Sequence, residues 1–124
     1  MMKRNLIPLI ILIVMTLVVS CSGKVTEIDP SLLPGKWVSG TEYWRYDSDG
    51  TGSTWDVGDD VSEEEGQPFK WEFDESDNSL TQIHWMEMTG DWTIPQMFTI
   101  TVLNDSVLSY KHRSGTVYTF ARCR

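Results

Sequence analysis

Cysteine, histidine and positive charge are all scarce in this chain. Of 124 residues only two are Cys (Cys21 and Cys123) and two are His (His84 and His112), and 10 Lys and Arg face 18 Asp and Glu. A catalytic histidine needs a nucleophile on one side and an orienting acid on the other. Neither His84 nor His112 comes with a nucleophile elbow, a paired-acid motif or a metal-ligand cluster, and Glu72 and Glu87 are isolated. The expectation is therefore a protein that is not an enzyme and carries no cofactor. A formal charge of −8 repels phosphate backbones and anionic head groups. Nucleic acid is not an expected partner, and charge alone will not hold the chain on a membrane. Also missing are any helical period longer than a turn, any internal repeat, and any low-complexity segment beyond one acidic loop.

The only long apolar run lies at the start. Lys3 and Arg4 precede fourteen residues, Leu6 to Val19, broken only by Pro8 and Thr16. A comfortable transmembrane helix needs about 20 apolar residues, so the layout reads as a secretory signal. The run ends in Leu17-Val18-Val19-Ser20-Cys21, which resembles a bacterial lipoprotein cleavage site, with Val18 where Leu is usual. That resemblance implies a signal over residues 1–20 and a mature chain beginning at an acylated Cys21. Stable anchoring needs more than one acyl chain, and a multiply acylated cysteine supplies it. Loss of residues 1–20 removes Lys3 and Arg4 and no acid, which takes the formal charge to −10. With Cys21 acylated, Cys123 has no partner for an intrachain disulfide.

Residues 21–34 contain Gly23, Pro30 and Pro34 without periodicity and read as a tether; Leu32 and Leu33 are placed to plug the domain that follows. Lys36 to Tyr46 is one long strand, or two with a bend at Gly40. Asp47-Ser48-Asp49-Gly50-Thr51-Gly52 is a turn, because Asp bonds its own backbone and Gly supplies positive φ. Ser53 to Val57 returns. Gly58 to Gln67 is an acidic loop in which Ser62 can cap one helical turn. In Pro68-Phe69-Lys70-Trp71-Glu72-Phe73-Asp74 the aromatics alternate with charge, which puts Phe69, Trp71 and Phe73 on one face of a sheet. Leu80, Gln82, His84, Met86 and Met88 share one face of the next strand, with Thr81, Ile83, Trp85 and Glu87 on the other. Pro95 bars a central strand around Trp92 to Gln96. Three more strands follow, around Phe98–Leu103, Val107–Lys111 and Thr116–Arg122, separated by Asn104-Asp105 and Arg113-Ser114-Gly115. Seven or eight short strands joined by consecutive hairpins predict an all-β, up-and-down antiparallel barrel.

Four motifs occur in order: Gly35-x-Trp37, the turn Tyr46-Asp47-x-Asp49-Gly50-Thr51-Gly52, Phe69-x-Trp71-x-Phe73, and Tyr118-x-Phe120-x-Arg122. Behind a lipoprotein signal, this order resembles the small lipocalin-like lipoproteins of Bacteroidota-type bacteria. The resemblance implies a lipocalin-like barrel of about eight short strands over residues 35–124. It also implies closure of the barrel by Gly35, Trp37 and an Arg122 guanidinium stacked on the indole. The acids Glu27 and Asp29 lie some way after Cys21, which favours a cell-envelope protein on the outer membrane facing the periplasm.

Aspartates 47, 49 and 56 do not make a calcium loop: aligning Gly50 with the invariant glycine of an EF-hand puts Arg45 in the first ligand position. Fourteen aromatics in so small a domain suit two interiors equally. Either Phe69, Trp71 and Phe73, with Trp44 and Trp85, line a pocket for a small apolar or amphipathic ligand, or the core is filled with aromatics and the protein docks an envelope partner. A third reading is an inhibitor presenting the Gly58–Gln67 loop. A connected cavity above about 300 Å³ separates the first two.

Overall fold

The computed structural model describes residues 28–124. The signal-like segment 1–20, the candidate acylation site Cys21 and the chain up to residue 27 lie outside the described residues. Nine strands follow in order: β1 Gly35–Ser39, β2 Glu42–Tyr46, β3 Thr51–Asp56, β4 Gln67–Asp74, β5 Ser79–Met86, β6 Asp91–Trp92, β7 Gln96–Leu103, β8 Val107–His112 and β9 Val117–Arg122. Each pairs antiparallel with its neighbour in the chain, except that β6 is a two-residue spur on β5 and β7 pairs β5 directly. β9 returns to β1 through Trp37↔Arg122 and Val38↔Ala121. The result is a closed eight-stranded up-and-down barrel of lipocalin-like architecture.

Local chemistry accounts for the hairpins. β1 and β2 join through the two-residue turn Gly40-Thr41, with Gly40 at φ 62°, so the stretch from Lys36 to Tyr46 is two strands. In the next turn Asp49 accepts from the Thr51 N–H (3.0 Å) and hydroxyl (2.6 Å). Asp47 accepts from Arg45 Nε at 3.0 Å. Both acids are thus spent within the turn. Asn104 Oδ1 accepts from the Ser106 and Val107 N–H groups and shapes the β7–β8 connection. Pro95 stands between β6 and β7, outside any ladder.

Inward-facing residues pack as a continuous core: Leu33, Trp37, Tyr46, Phe69, Leu80, Ile100, Leu103, Leu108, Tyr110 and Phe120 are all buried. Burying these side chains contributes about 1.5–3 kcal/mol for each large aliphatic or aromatic one. Close approach shapes the sequence at Gly52, where an added Cβ would stand 2.5 Å from Phe69 Cζ. One polar group sits in the middle of this core. Gln82 is 1% exposed; its Nε2 donates to the Tyr46 hydroxyl at 2.9 Å, and its Oε1 lies 3.3 Å from His84 Nε2. Burial pushes Tyr46 well above the ordinary phenol range and Tyr110 up to about 12.

One end of the barrel is sealed. The Trp37 indole N–H donates to the Leu33 carbonyl at 3.0 Å, and Leu33 is fully buried. The Arg122 guanidinium lies 4.2 Å from the Trp37 ring centroid, donates to the Leu32 carbonyl, and donates to the Asp105 carbonyl at 3.0 Å. Gly35, at φ 140°, admits it: a Cβ there would meet Arg122 Nη1. Residues 28–34 are part of this seal. Ile28 bridges Leu103, the Asp29 N–H donates to the Leu103 carbonyl at 2.9 Å, and Asp29 caps a short 3-10 turn at Pro30–Leu32. Residues 28–34 therefore belong to the folded unit, ahead of the boundary at Gly35 that the lack of periodicity suggests. A capped turn and a plug need no period.

Candidate functional site

The opposite end is open. Here β3 and β4 part after Thr54↔Gln67, because the chain from Val57 to Gly66 leaves the sheet as two short 3-10 turns. The second turn, Glu63–Glu65, follows Ser62, whose N–H and hydroxyl donate to Glu65 Oε1 at 3.2 and 3.1 Å. Glu63 folds back over the outer face of β1 and β2, where Lys36 Nζ and Arg45 Nη1 each donate to it at 2.9 Å. Lys36 first and Arg45 second hold its carboxyl below the usual range. The acidic loop is thereby pinned to the barrel wall, over Tyr43 and Trp55, whose rings stack at 5.5 Å and 5°.

Between this loop, the upper part of β2 and β3 and the end of β5 lies a cavity of about 650 Å³. Trp44, Thr54, Trp55, His84 and Met86 line it, with Val61 and Met88 at its edges. Trp44 is held in place from several sides: its ring meets Phe69 edge-on at 5.2 Å, His84 at 5.4 Å and 90°, and Phe120 at 6.3 Å. Its indole N–H donates to Glu42 Oε1 at 2.7 Å. Burial lowers the His84 pKa, so the imidazole in the wall is neutral at pH 7. Gln67 closes one side by donating to the Trp85 carbonyl.

Five carboxylates ring the opening: Glu42, Asp56, Asp59, Glu65 and Glu87. Asp56 Oδ1 accepts from the Thr41 hydroxyl at 2.6 Å and the Gly58 N–H at 2.8 Å. No Lys or Arg lines the cavity. The salt bridges among the described residues use Glu63, Asp47 and Asp105, so none of the five rim acids is ion-paired there.

The residues nominated as ligand contacts separate by depth. Trp44 lines the cavity. Phe69, 1% exposed, lies beneath it and stacks on His84 at 5.5 Å. Trp71 sits toward the sealed end, where its indole N–H is shared by the Asp47 and Thr51 carbonyls at 3.1 and 2.9 Å. Phe73 pairs with Leu80 near the β4–β5 turn. Trp85 is on the outer surface, because alternation along β5 turns Gln82 and His84 inward; it packs against Trp92 at 5.2 Å, and Lys70 Nζ lies 4.3 Å from the Trp92 ring. An interior role for Trp85 is therefore corrected, and Trp71 and Phe73 are structural at the far end. Residues not nominated, His84, Met86, Glu42 and Thr54, complete the wall. The alternation that places His84 and Met86 beside Gln82 was the available signal. Compared with family models, with curated proteins and with solved structures, the chain matches none.

Proposed function

We propose that this chain is a lipid-anchored, non-enzymatic, lipocalin-like binding protein of the cell envelope, which holds a small apolar or amphipathic ligand in the open mouth of its barrel. The observation that carries the reading is the one-ended cavity. Its volume of about 650 Å³ falls within the ordinary range for small-molecule sites, about 300–1,000 Å³. Its floor is a rigidly held indole, which offers a large apolar contact at small entropic cost. The lower barrel is filled by its own side chains, so the ligand space is a cup above a solid base. The anchor is supported by the charged start, the apolar run and the position of Cys21. The same order of motifs supports membership of the small lipocalin-like lipoproteins, and the setting of Glu27 and Asp29 some way after Cys21 supports a place on the outer membrane facing the periplasm.

Titration of the full chain with an apolar probe tests the binding reading. Tryptophan quenching that saturates, and is lost in Trp44→Ala, is the expected result. Mass spectrometry of protein extracted from its own membrane tests the anchor, and an unmodified chain starting at Met1 would refute it. One observation favours a second reading, in which the protein docks an envelope partner. Met88 and Ile94, between β5 and β7, and Met97, at the start of β7, are 96%, 80% and 59% exposed, an apolar display that single scattered residues do not make. A chain that binds no apolar probe, yet loses a co-purifying envelope protein when Met88 and Ile94 become Ser, belongs to that reading.

A further inference from the structure

We infer that the ligand of the barrel mouth is an organic cation, an ammonium group carried on an apolar body. The inference rests on the mouth being a ligand site and adds the charge of its occupant. The site is the cavity with its indole floor; the acids decide which amphiphile it accepts. Trp44 presents an aromatic surface inside a space large enough for a molecule of drug-like size. A cation over an indole face is attracted by the ring quadrupole, and more strongly once desolvated. Glu42 lies against the same ring, with Oε1 2.7 Å from the indole nitrogen, so a cation seated on Trp44 has a carboxylate beside it.

Charge at the rim has one sign. Glu42, Asp56, Asp59, Glu65 and Glu87 border the cavity, with no Lys or Arg among its lining residues. The His84 imidazole, held neutral by burial, does not offset them. A cleft with low-dielectric walls and charge of one sign focuses its field into the opening. A fatty acid or other anionic amphiphile would carry its head group into five like charges. A neutral apolar ligand would fill the cup and leave the field unanswered. A bare metal ion fits no better, because no group of three His, Cys, Asp or Glu among the described residues comes close enough to hold one. Diffuse negative charge around an aromatic floor matches a bulky, weakly hydrated cation.

The test uses three probes with one aromatic body and different charge: 1-naphthylmethylammonium, 1-naphthylmethanol and 1-naphthylacetate. They are titrated calorimetrically into the full chain in nanodiscs, with empty nanodiscs as the blank. The ammonium is expected to bind about tenfold or more tightly than the alcohol, and the acetate more weakly than either. Raising NaCl from about 20 to about 500 mM narrows that ratio, because screening acts on the charged probe alone. The variant Glu42→Gln/Asp59→Asn/Glu87→Gln, which keeps the acceptor for the Trp44 indole, lowers the ratio of ammonium to alcohol affinity at least about fivefold. Its folding is checked by near-ultraviolet circular dichroism. Equal affinity for the ammonium and the alcohol, or tighter binding of the acetate, overturns the cation inference and leaves the binding site standing. Failure of all three probes to bind, or binding indifferent to Trp44→Ala, overturns the site itself and the inference with it.

Discussion

The guanidinium of Arg122 lies 4.2 Å from the ring centroid of Trp37, joining the last strand to the first. The same guanidinium donates to the carbonyls of Leu32 and Asp105, so one side chain ties the plug, the first strand and the β7–β8 turn. A double-mutant cycle with Trp37→Leu and Arg122→Leu, measured by urea denaturation, should give a coupling of about 0.5–2 kcal/mol. Additive losses would show that the two side chains stabilise the barrel independently.

Gln82 is the polar centre of an aromatic core, and the order of its variants is predictable. Tyr46→Phe removes one hydroxyl and leaves the Gln82 Nε2 donor without it, a loss of about 1–3 kcal/mol. Gln82→Met strands the Tyr46 hydroxyl and also removes the Oε1 partner of His84, and should cost more than Tyr46→Phe. Replacing Tyr46 and Gln82 at once should cost less than the two single losses summed. Midpoints of urea unfolding rank the three, and a double variant as bad as the sum would deny the network.

His84 makes stability depend on pH in a defined window. Its pKa is lowered in the fold by burial among Trp44, Phe69 and Gln82, so the unfolded chain binds the proton more readily. Linkage then makes stability rise with pH while the unfolded imidazole titrates. The contribution is complete above about 6.5, the ordinary histidine value, and is lost as pH falls below it toward the folded value. His84→Gln should flatten the melting temperature as pH falls below about 6.5. The carboxylates with lowered values, Glu63, Asp49 and Asp74, begin to lose their contribution only below about 4, the ordinary carboxylate value. An unaltered slope in the variant would place the pH dependence elsewhere.

Gly52 faces inward on β3 opposite Phe69. A Cβ there would fall 2.5 Å from Phe69 Cζ and would also meet the Arg45 carbonyl, and backbone cannot step aside as a flexible side chain does. Gly52→Ala should destabilise by about 1–3 kcal/mol, read from thermal or urea unfolding. A neutral outcome would mean that the β2–β3–β4 corner is looser than its packing indicates.

Alternation and turn chemistry made most of the barrel legible, because both act over a few residues. Phe69-x-Trp71-x-Phe73 reports which face is buried, and Asp49-Gly50 and Asn104-Asp105 report where the chain reverses. Depth along the barrel axis is another matter. Those three aromatics share a face, yet Phe69 lies under the mouth and Trp71 sits toward the sealed end. Height depends on strand tilt and register, which no local pattern carries. The acidic loop was misleading for a similar reason. Glu63 looks like one more solvated acid until Lys36 and Arg45, distant in sequence, arrive beside it. His84 reads as an ordinary strand residue, and only the parting of β3 from β4 makes it a wall.

Almost every pairing in this barrel joins strands that are neighbours in the chain or, at β5–β7, separated only by the β6 spur; the seam between β1 and β9 instead spans the domain, and it holds only Trp37↔Arg122 and Val38↔Ala121. Hairpins can therefore form one after another at small entropic cost, whereas the seam must bring together the two ends of the domain. It is completed by the Cys123 N–H donating to the Lys36 carbonyl at 2.8 Å. The strand that closes the barrel, β9, follows every other strand in the chain. Until β9 docks, β1 is an open edge beside an unseated plug, and the other strands form an unclosed sheet. Closure of the barrel waits on its last strand.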